Sequence, residues 1–378
     1  MRAVRVNWSL SWLLIATLAC VMATMGTAPA AFAATSCPAA NPADTLPDDA
    51  ALQACLNQGG TLTLDPGSPG YILSQGLAVT VSTTSITTST PGTNATLVAA
   101  STLNAPLLSI TSSTVSHTTI NHVTFDGNRP SRTDISSCTG NRNAESTIVM
   151  TTANALDFEY NNIMRTVCGS ALNLAGTTMT VAHNTITDNG HGREAVDAPE
   201  PWSDGITLSY CAQGDIHDNL ISDASDVGVV AFESTNCSIH NNTIQQANRH
   251  AFAGLQFGAS QPGTDGSHSG SVIQNNTVTG AGKLSFGIAY GVLPWFSSTV
   301  HNGQVAGNAV SGAIINLLVD GVQSGNVGMN TLSSPAGTPQ CPASDNAPVN
   351  YDLDLTHVSQ TVTLMAPDAV RSYSGCIP

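Results

Sequence analysis

The chain has 378 residues, of which only 9% are charged, and a formal net charge of −15. With no basic patch or arginine-rich run, that balance argues against a nucleic-acid partner. It also disfavours a densely anionic polymer unless calcium or a local basic cluster intervenes.

From the N-terminus, Arg2 and Arg5 precede an apolar run over residues 10–22, and Ala31-Phe32-Ala33 fits the small-x-small rule for signal peptidase. These features predict a signal peptide over residues 1–33, a secreted or periplasmic protein, and no membrane span after cleavage. Without Cys20 of the leader, eight cysteines remain. An even count in an exported chain favours disulfides, and the preferred pairs are sequence neighbours: Cys37–Cys55, Cys138–Cys168, Cys211–Cys237 and Cys341–Cys376.

A helix is expected next, with Thr45 as N-cap, Pro47 in the first turn, and Asp48 and Asp49 at the positive end of the dipole. Leu52, Cys55 and Leu56 form its apolar stripe, and Gly59-Gly60 stops it. Such a helix would plug the open end of a solenoid. A strand over residues 61–64 and a turn at Pro66-Gly67 follow. The Asp-Asp-Ala-Ala-Leu-Gln run, glycine pair and strand resemble the opening of pectin-lyase-superfamily proteins.

From residue 161 onward a short motif recurs, Asn followed by a small or polar residue and then an aliphatic one. It begins at Asn161, Asn184, Asn219, Asn242, Asn276, Asn308 and Asn330, with an earlier echo at Asn121-His122-Val123. The spacings are 23, 35, 23, 34, 32 and 22 residues. Three equal about one β-helix coil, and three equal a coil plus an insertion of roughly ten residues. Asn tolerates the left-handed conformation of a tight turn, and its amide can bond to its stacked equivalent. The predicted fold is all-β: a single-stranded right-handed parallel β-helix over residues 34–335 with an N-terminal capping helix. Residues 336–378, holding Cys341 and Cys376, read as a C-terminal cap, so both ends would be disulfide-stabilised.

Aligned on their asparagines, the coils put Ile206, Val229 and Phe252 in one inward column. Just ahead of it Asp204, Asp226, Arg249, His250 and Lys283 line one edge in a chain poor in charge. Hydrolysis of a glycosidic bond needs one carboxylic acid to protonate the leaving oxygen and a second carboxylate to activate water or attack carbon. Asp204 and Asp226 supply such a pair on adjacent coils, and a nearby like charge raises one pKa of a pair. Arg249 or Lys283 could hold a substrate carboxylate or hydroxyl, and His250 could orient a carboxylate.

Here the chain resembles the polygalacturonase family of glycoside hydrolases, which carries Asn-Thr-Asp, Asp-Asp, Gly-His-Gly and Arg-Ile-Lys on successive coils. Ser203-Asp204-Gly205 matches the first motif at its aspartate, and Asp226 takes the first aspartate of the pair, with Val227 in place of the second. His250 matches the histidine between Arg249 and Ala251, and Lys283 lies where the last basic motif falls. The resemblance implies Asp226 as general acid and Asp204 as the group activating water. Carboxylates one coil apart, about 5 Å, fit retention by the general carboxylate rule, whereas the resemblance implies inversion.

The insertion 189–202 contains His191, Arg193, Glu194, Asp197, Glu200 and Trp202 directly before Asp204. Trp202 could stack on a sugar ring, and Glu194 or Asp197 could replace the carboxylate that Val227 lacks. Asp223 and Glu233 are reserve acids, while Asp126-Gly127-Asn128 reads as a turn. The insertions 258–271 and 294–301 could wall a cleft. The leading expectation is a glycoside hydrolase acting on a polysaccharide or oligosaccharide, with no resident metal or cofactor. A calcium-dependent lyase or uronate epimerase would use Lys283, Arg249 or His250 as base and the aspartates as calcium ligands. A non-catalytic carbohydrate-binding or adhesion solenoid would leave the charged edge unexplained.

Overall fold

Each coil contributes strands to three strips. The first is a twelve-stranded sheet running from Ala34–Ser36 through Thr61–Leu64, Asp215–His217 and Ser238–His240 to Thr361–Leu364. The other two strips share a nineteen-stranded sheet. Short strands such as Asn162–Met164, Thr185–Asn189 and Leu220–Ala224 form the second strip, and the third includes Gly169–Thr177, Ser203–Ala212, Val227–Ala231 and Ala251–Phe257. Strands pair in parallel from coil to coil, as in Ile216↔Ile239 and Ile206↔Val229. The computed structural model describes residues 40–132, 147–190, 203–259, 265–291, 299–338 and 348–353, with the strands Ala34–Ser36 and Thr361–Leu364. The all-β parallel solenoid expected from the repeat is present. Beyond residue 335, Val349–Leu353 still pairs with Ala309–Val319, and Thr361–Leu364 with Val322–Val327, so ladder pairing runs into the segment read as a cap.

Side chains alternate across a strand, which sends every second residue of the third strip inward. Leu172, Ile206, Val229, Leu255, Ile288 and Leu317 stack in register and are buried. The expected column held Phe252 where Leu255 stands. From ladder asparagine to inward residue the chain takes ten residues in one coil (Asn219 to Val229) and thirteen in the next (Asn242 to Leu255). The three extra residues sit in a turn held by Asp223, whose carboxylate accepts from Ala247 N, Asn248 N and Asn248 Nδ2. Burial works to raise the Asp223 pKa, but these donors bring it below its ordinary value. Asp223 therefore shapes a turn.

The seven motif asparagines form one continuous ladder. Asn184 Nδ2 donates to Asn219 Oδ1, Asn219 to Asn242, Asn242 to Asn276, Asn276 to Asn308 and Asn308 to Asn330, at 2.9–3.0 Å. Asn161 joins through its backbone N–H to Asn184 Oδ1. Asn121 does not belong: Val123 takes the equivalent position, its N–H donating to Asn161 Oδ1. The left-handed residue is also not the ladder asparagine but the one before it, as at Tyr160, His183, Asp218, Asn241 and Asn275. The turn puts its positive φ there and frees the asparagine amide to point along the stack.

At the N-terminal end the helix spans Asp49–Leu56, three residues later than a Thr45 cap would start it, because Pro47 pairs with Ile72 instead. Asp48, at the N-cap, turns its carboxylate away from the helix to accept from Asn41 N and Ile72 N. Leu52 and Leu56 are buried, as the stripe predicts. Cys211–Cys237 is a disulfide between successive coils with a sequence separation of 26. A loop of that size corresponds to about 3.5 kcal/mol of denatured-state restriction in the chain-entropy model. Cys55 and Cys168 are also disulfide-bonded; Cys37, Cys138, Cys341 and Cys376 lie outside the described residues.

His268 fastens the base of the insertion after the strand Ala251–Phe257. Its ring stacks on Phe257 at 4.3 Å, Nδ1 lies 2.7 Å from Ser234 Oγ and Nε2 lies 2.8 Å from the Gly258 carbonyl. The carbonyl can only accept, so this network assigns the proton to Nε2 and leaves Nδ1 to accept from Ser234. Burial drives the His268 pKa from 6.5 down to about 4. The unfolded chain therefore takes up the proton first, and stability present above pH 6.5 is lost as pH falls towards 4. A shift of that size corresponds to about 3 kcal/mol. The melting temperature of His268→Gln should consequently vary less than that of wild type across this window, as followed by circular dichroism.

Candidate functional site

The outer face of the third strip changes character along the solenoid. In one column Asn173, Thr207, Val230, Gln256, Ala289 and Leu318 are in register, polar at first and then largely apolar. Val227, Val230, Phe252, Ala253, Phe286, Ala289, Ile314, Ile315 and Leu318 form a buried apolar cluster separate from the main core. Asp204 stands at the boundary, only 4% exposed. Alternation from the inward Ile206 and Leu208 puts Thr207 on the outer face. Thr207 Oγ1 donates to Asp204 Oδ2 at 2.6 Å and Val227 N donates to Asp204 Oδ1 at 3.1 Å. Ser170 Oγ, one coil earlier, lies 2.6 Å from Thr207 Oγ1. Each carboxylate oxygen thus faces a donor.

Because Val227 N–H reaches Asp204, the carboxylate lies against the backbone that carries Asp226. Asp226 is half-buried, and its carbonyl accepts from Phe252 N at 2.8 Å and Ala253 N at 3.2 Å. The residue beside Asp226 on the following coil is therefore Phe252, not His250. Counted back from the inward column, Asp204 is two residues upstream, Asp226 three, and His250 and Lys283 five each. The edge read as one column is two groups. Asp204 and Asp226 share one step of the solenoid. His250 and Lys283 form a second pair, both partly exposed, with Lys283 Nζ 3.4 Å from His250 Nε2. An ammonium can only donate, so this contact favours the His250 tautomer protonated on Nδ1.

Arg249 is turned elsewhere. Its guanidinium donates to Asp188 and to the carbonyls of Asn189 and Gly190, and Arg129 reaches the same Asp188 and Gly190 from the other side. Burial and the neighbouring Arg129 pull the Arg249 pKa below its usual range, with Asp188 opposing. The two arginines clamp the backbone where the insertion before Asp204 begins, so the Arg249 guanidinium, expected to hold substrate, is engaged there. No local signal could have linked residues 120 positions apart in the sequence. Thr207 was not legible, because strict alternation sets residues three apart on opposite faces; the alternation breaks at Gly205, where an added Cβ would meet the core side chain of Ile221.

Glu233 is partly exposed, seven residues past Asp226 and beyond the strand Val227–Ala231, at the other end of that strand from the aspartates. Asp126 serves its turn, accepting from Asn128 N and pairing with Arg165. Trp202, Glu194 and Asp197 lie outside the described residues.

The family model described as "Right handed beta helix region" matches residues 108–315. No curated protein sequence matches the chain. Among solved structures, the DFA-IIIase of Arthrobacter chlorophenolicus A6 in complex with DFA-III aligns at 14% identity and TM-score 0.50, over 88% of this chain and 98% of that one. The hyperthermoactive exopolygalacturonase of Thermotoga maritima aligns at 10% identity and TM-score 0.52, over 85% and 86%. The A-module of the mannuronan C-5 epimerase AlgE6 of Azotobacter vinelandii aligns at 14% identity and TM-score 0.51, over 86% of each chain. At these identities the likeness is one of fold.

Proposed function

The chain belongs to the right-handed β-helix family, and on that premise we propose that it is an exported glycoside hydrolase acting on a polysaccharide or oligosaccharide. The observation that carries the reading is the Asp204 carboxylate, fixed on the outer face of the third strip by Thr207 and Val227 N–H and set against the backbone of Asp226. Asp204, held by Thr207 and the Val227 N–H, is the group that activates water. Asp226, half-buried on the next coil, is the acid that protonates the leaving oxygen. The solved structures it resembles include an exopolygalacturonase and a DFA-IIIase bound to DFA-III, which supports a saccharide as ligand. The buried Cys211–Cys237 bridge supports folding in an oxidising compartment, in keeping with the N-terminal signal. Among the described residues no helix is long and apolar enough to cross a membrane.

A second reading has its own observation. The His250–Lys283 contact holds two nitrogen bases together at the same end of the third strip, as proton abstraction next to a uronate carboxylate requires. One assay separates the readings: the purified protein on a panel of neutral and uronate polysaccharides, with and without chelator, followed for reducing ends, for the ultraviolet absorbance of unsaturated uronates and for epimerised residues. Reducing ends without absorbance, unaffected by chelator, are expected. Absorbance or epimerisation abolished by chelator would replace the hydrolase with a calcium-dependent lyase or epimerase.

A further inference from the structure

The corner between the first and second strips carries a left-handed residue just before six of the seven ladder asparagines, Asn161 to Asn308. At Asn241, Asn275 and Gly307 asparagine or glycine fills it, the residues for which that conformation costs least. At His183 (φ 57°) and Asp218 (φ 53°), on successive coils, the same position is spent on metal-ligand side chains. With His217 they bring their ligand atoms within 4.8 Å of one another. His217 Nδ1 lies 2.7 Å from Asp218 Oδ2, and the His183 and His217 rings meet edge to face at 5.7 Å.

The rings are gripped by their faces. His183 stacks on Tyr160 at 4.8 Å, and Tyr160 on His122 at 5.4 Å. On the other side His217 stacks on His240 at 5.1 Å, and His240 Nε2 is paired with Asp215 at 2.7 Å. Face contacts fix ring orientation while the nitrogens stay at the edge. Neither ring nitrogen of His183 has a hydrogen-bond partner among the described residues.

We propose that His183, His217 and Asp218 form a binding site for a divalent transition metal of the zinc type. Two imidazoles and one carboxylate match the donor preference of Zn²⁺, with water completing four-coordination. Tetrahedral ligands about 2.1 Å from the metal stand roughly 3.4 Å apart. Rotation of the exposed His183 and Asp218 side chains towards the half-buried His217 would close the present spacing to that value. The site lies at the start of the second strip, whereas Asp204 opens the third, and the strands Thr185–Asn189 and Leu220–Ala224 run between them. Its effect is therefore to tie two successive coils together.

The test uses the full mature protein without a histidine tag, Zn²⁺ alone as stabiliser in melting experiments, and Co²⁺ alone as spectroscopic probe. Wild type should bind one equivalent and melt about 4 °C higher at a hundredfold excess of metal over its dissociation constant. His183→Asn and Asp218→Asn keep residues suited to the left-handed position, so both should fold. Each should bind at least tenfold more weakly and lose the visible bands of tetrahedral Co²⁺. No thermal shift in wild type would overturn the proposal. So would an equal shift in wild type and both variants, which would trace the binding to other histidines.

Discussion

Asp204→Asn is expected to lower turnover on the cleaved saccharide by about 10²- to 10⁴-fold, the range a positioned acid or base contributes. The substitution is nearly isosteric, and its amide oxygen can still accept from Val227 N–H, so the solenoid should melt close to wild type. Asp226→Asn should cost a similar factor but leave a different trace: a substrate with a good leaving group, which needs no protonation, should recover much of the lost rate. Thr207→Val keeps the carboxylate and removes one of its two described donors. It should act through Asp204, reducing kcat by about tenfold and altering the pH at which activity rises, with KM little changed. If Asp204→Asn and Asp226→Asn both turned over at the wild-type rate, the aspartate step would be excluded as the reaction centre. The His250–Lys283 pair would then be the next group to replace.

Legibility in the sequence followed the strength of the repeat. Seven asparagines could be read because each coil repeats the same geometric demand, and every one takes its place in the ladder. The inward column was readable through Ile206 and Val229, each 13 residues ahead of the next ladder asparagine. It failed at Phe252, where three extra residues in the turn around Asp223 moved the phase to Leu255. That one slip made a single charged edge out of two groups. The aspartates were legible from their spacing, since Asp204 and Asp226 differ by nearly one coil. The use of Arg249 was not, because Asp188 and Arg129 meet it only through stacking. Nor could the sequence order the positive φ values: the ladder asparagine was an obvious candidate, yet its neighbour carries the strain. An amide that must donate along the stack cannot also be the residue that turns the corner.

Asn219→Ala should be among the most destabilising single substitutions in the solenoid interior. Asn219 Nδ2 donates to Val181 O at 2.8 Å and to Asn242 Oδ1, while its Oδ1 accepts from both the backbone and side-chain N–H of Asn184. Alanine leaves the Val181 carbonyl and the Asn184 backbone N–H buried without those partners, at about 1–3 kcal/mol each. The vacated amide adds a further cavity cost. A loss of about 3–5 kcal/mol follows, read as a fall in urea midpoint with little change in slope. The control is Asn330→Ala at the last described rung. Asn330 supports Asn308 but is only partly buried, and its own bond to Val305 O is long, 3.4 Å. Water can reach the groups it leaves behind, so the cost there should be under half as large. Equal losses at the two positions would mean that the asparagines act only through turn geometry. A larger loss at Asn219 would show that the chain of amides itself holds consecutive coils in register. It is this register that sets Asp204 beside Asp226.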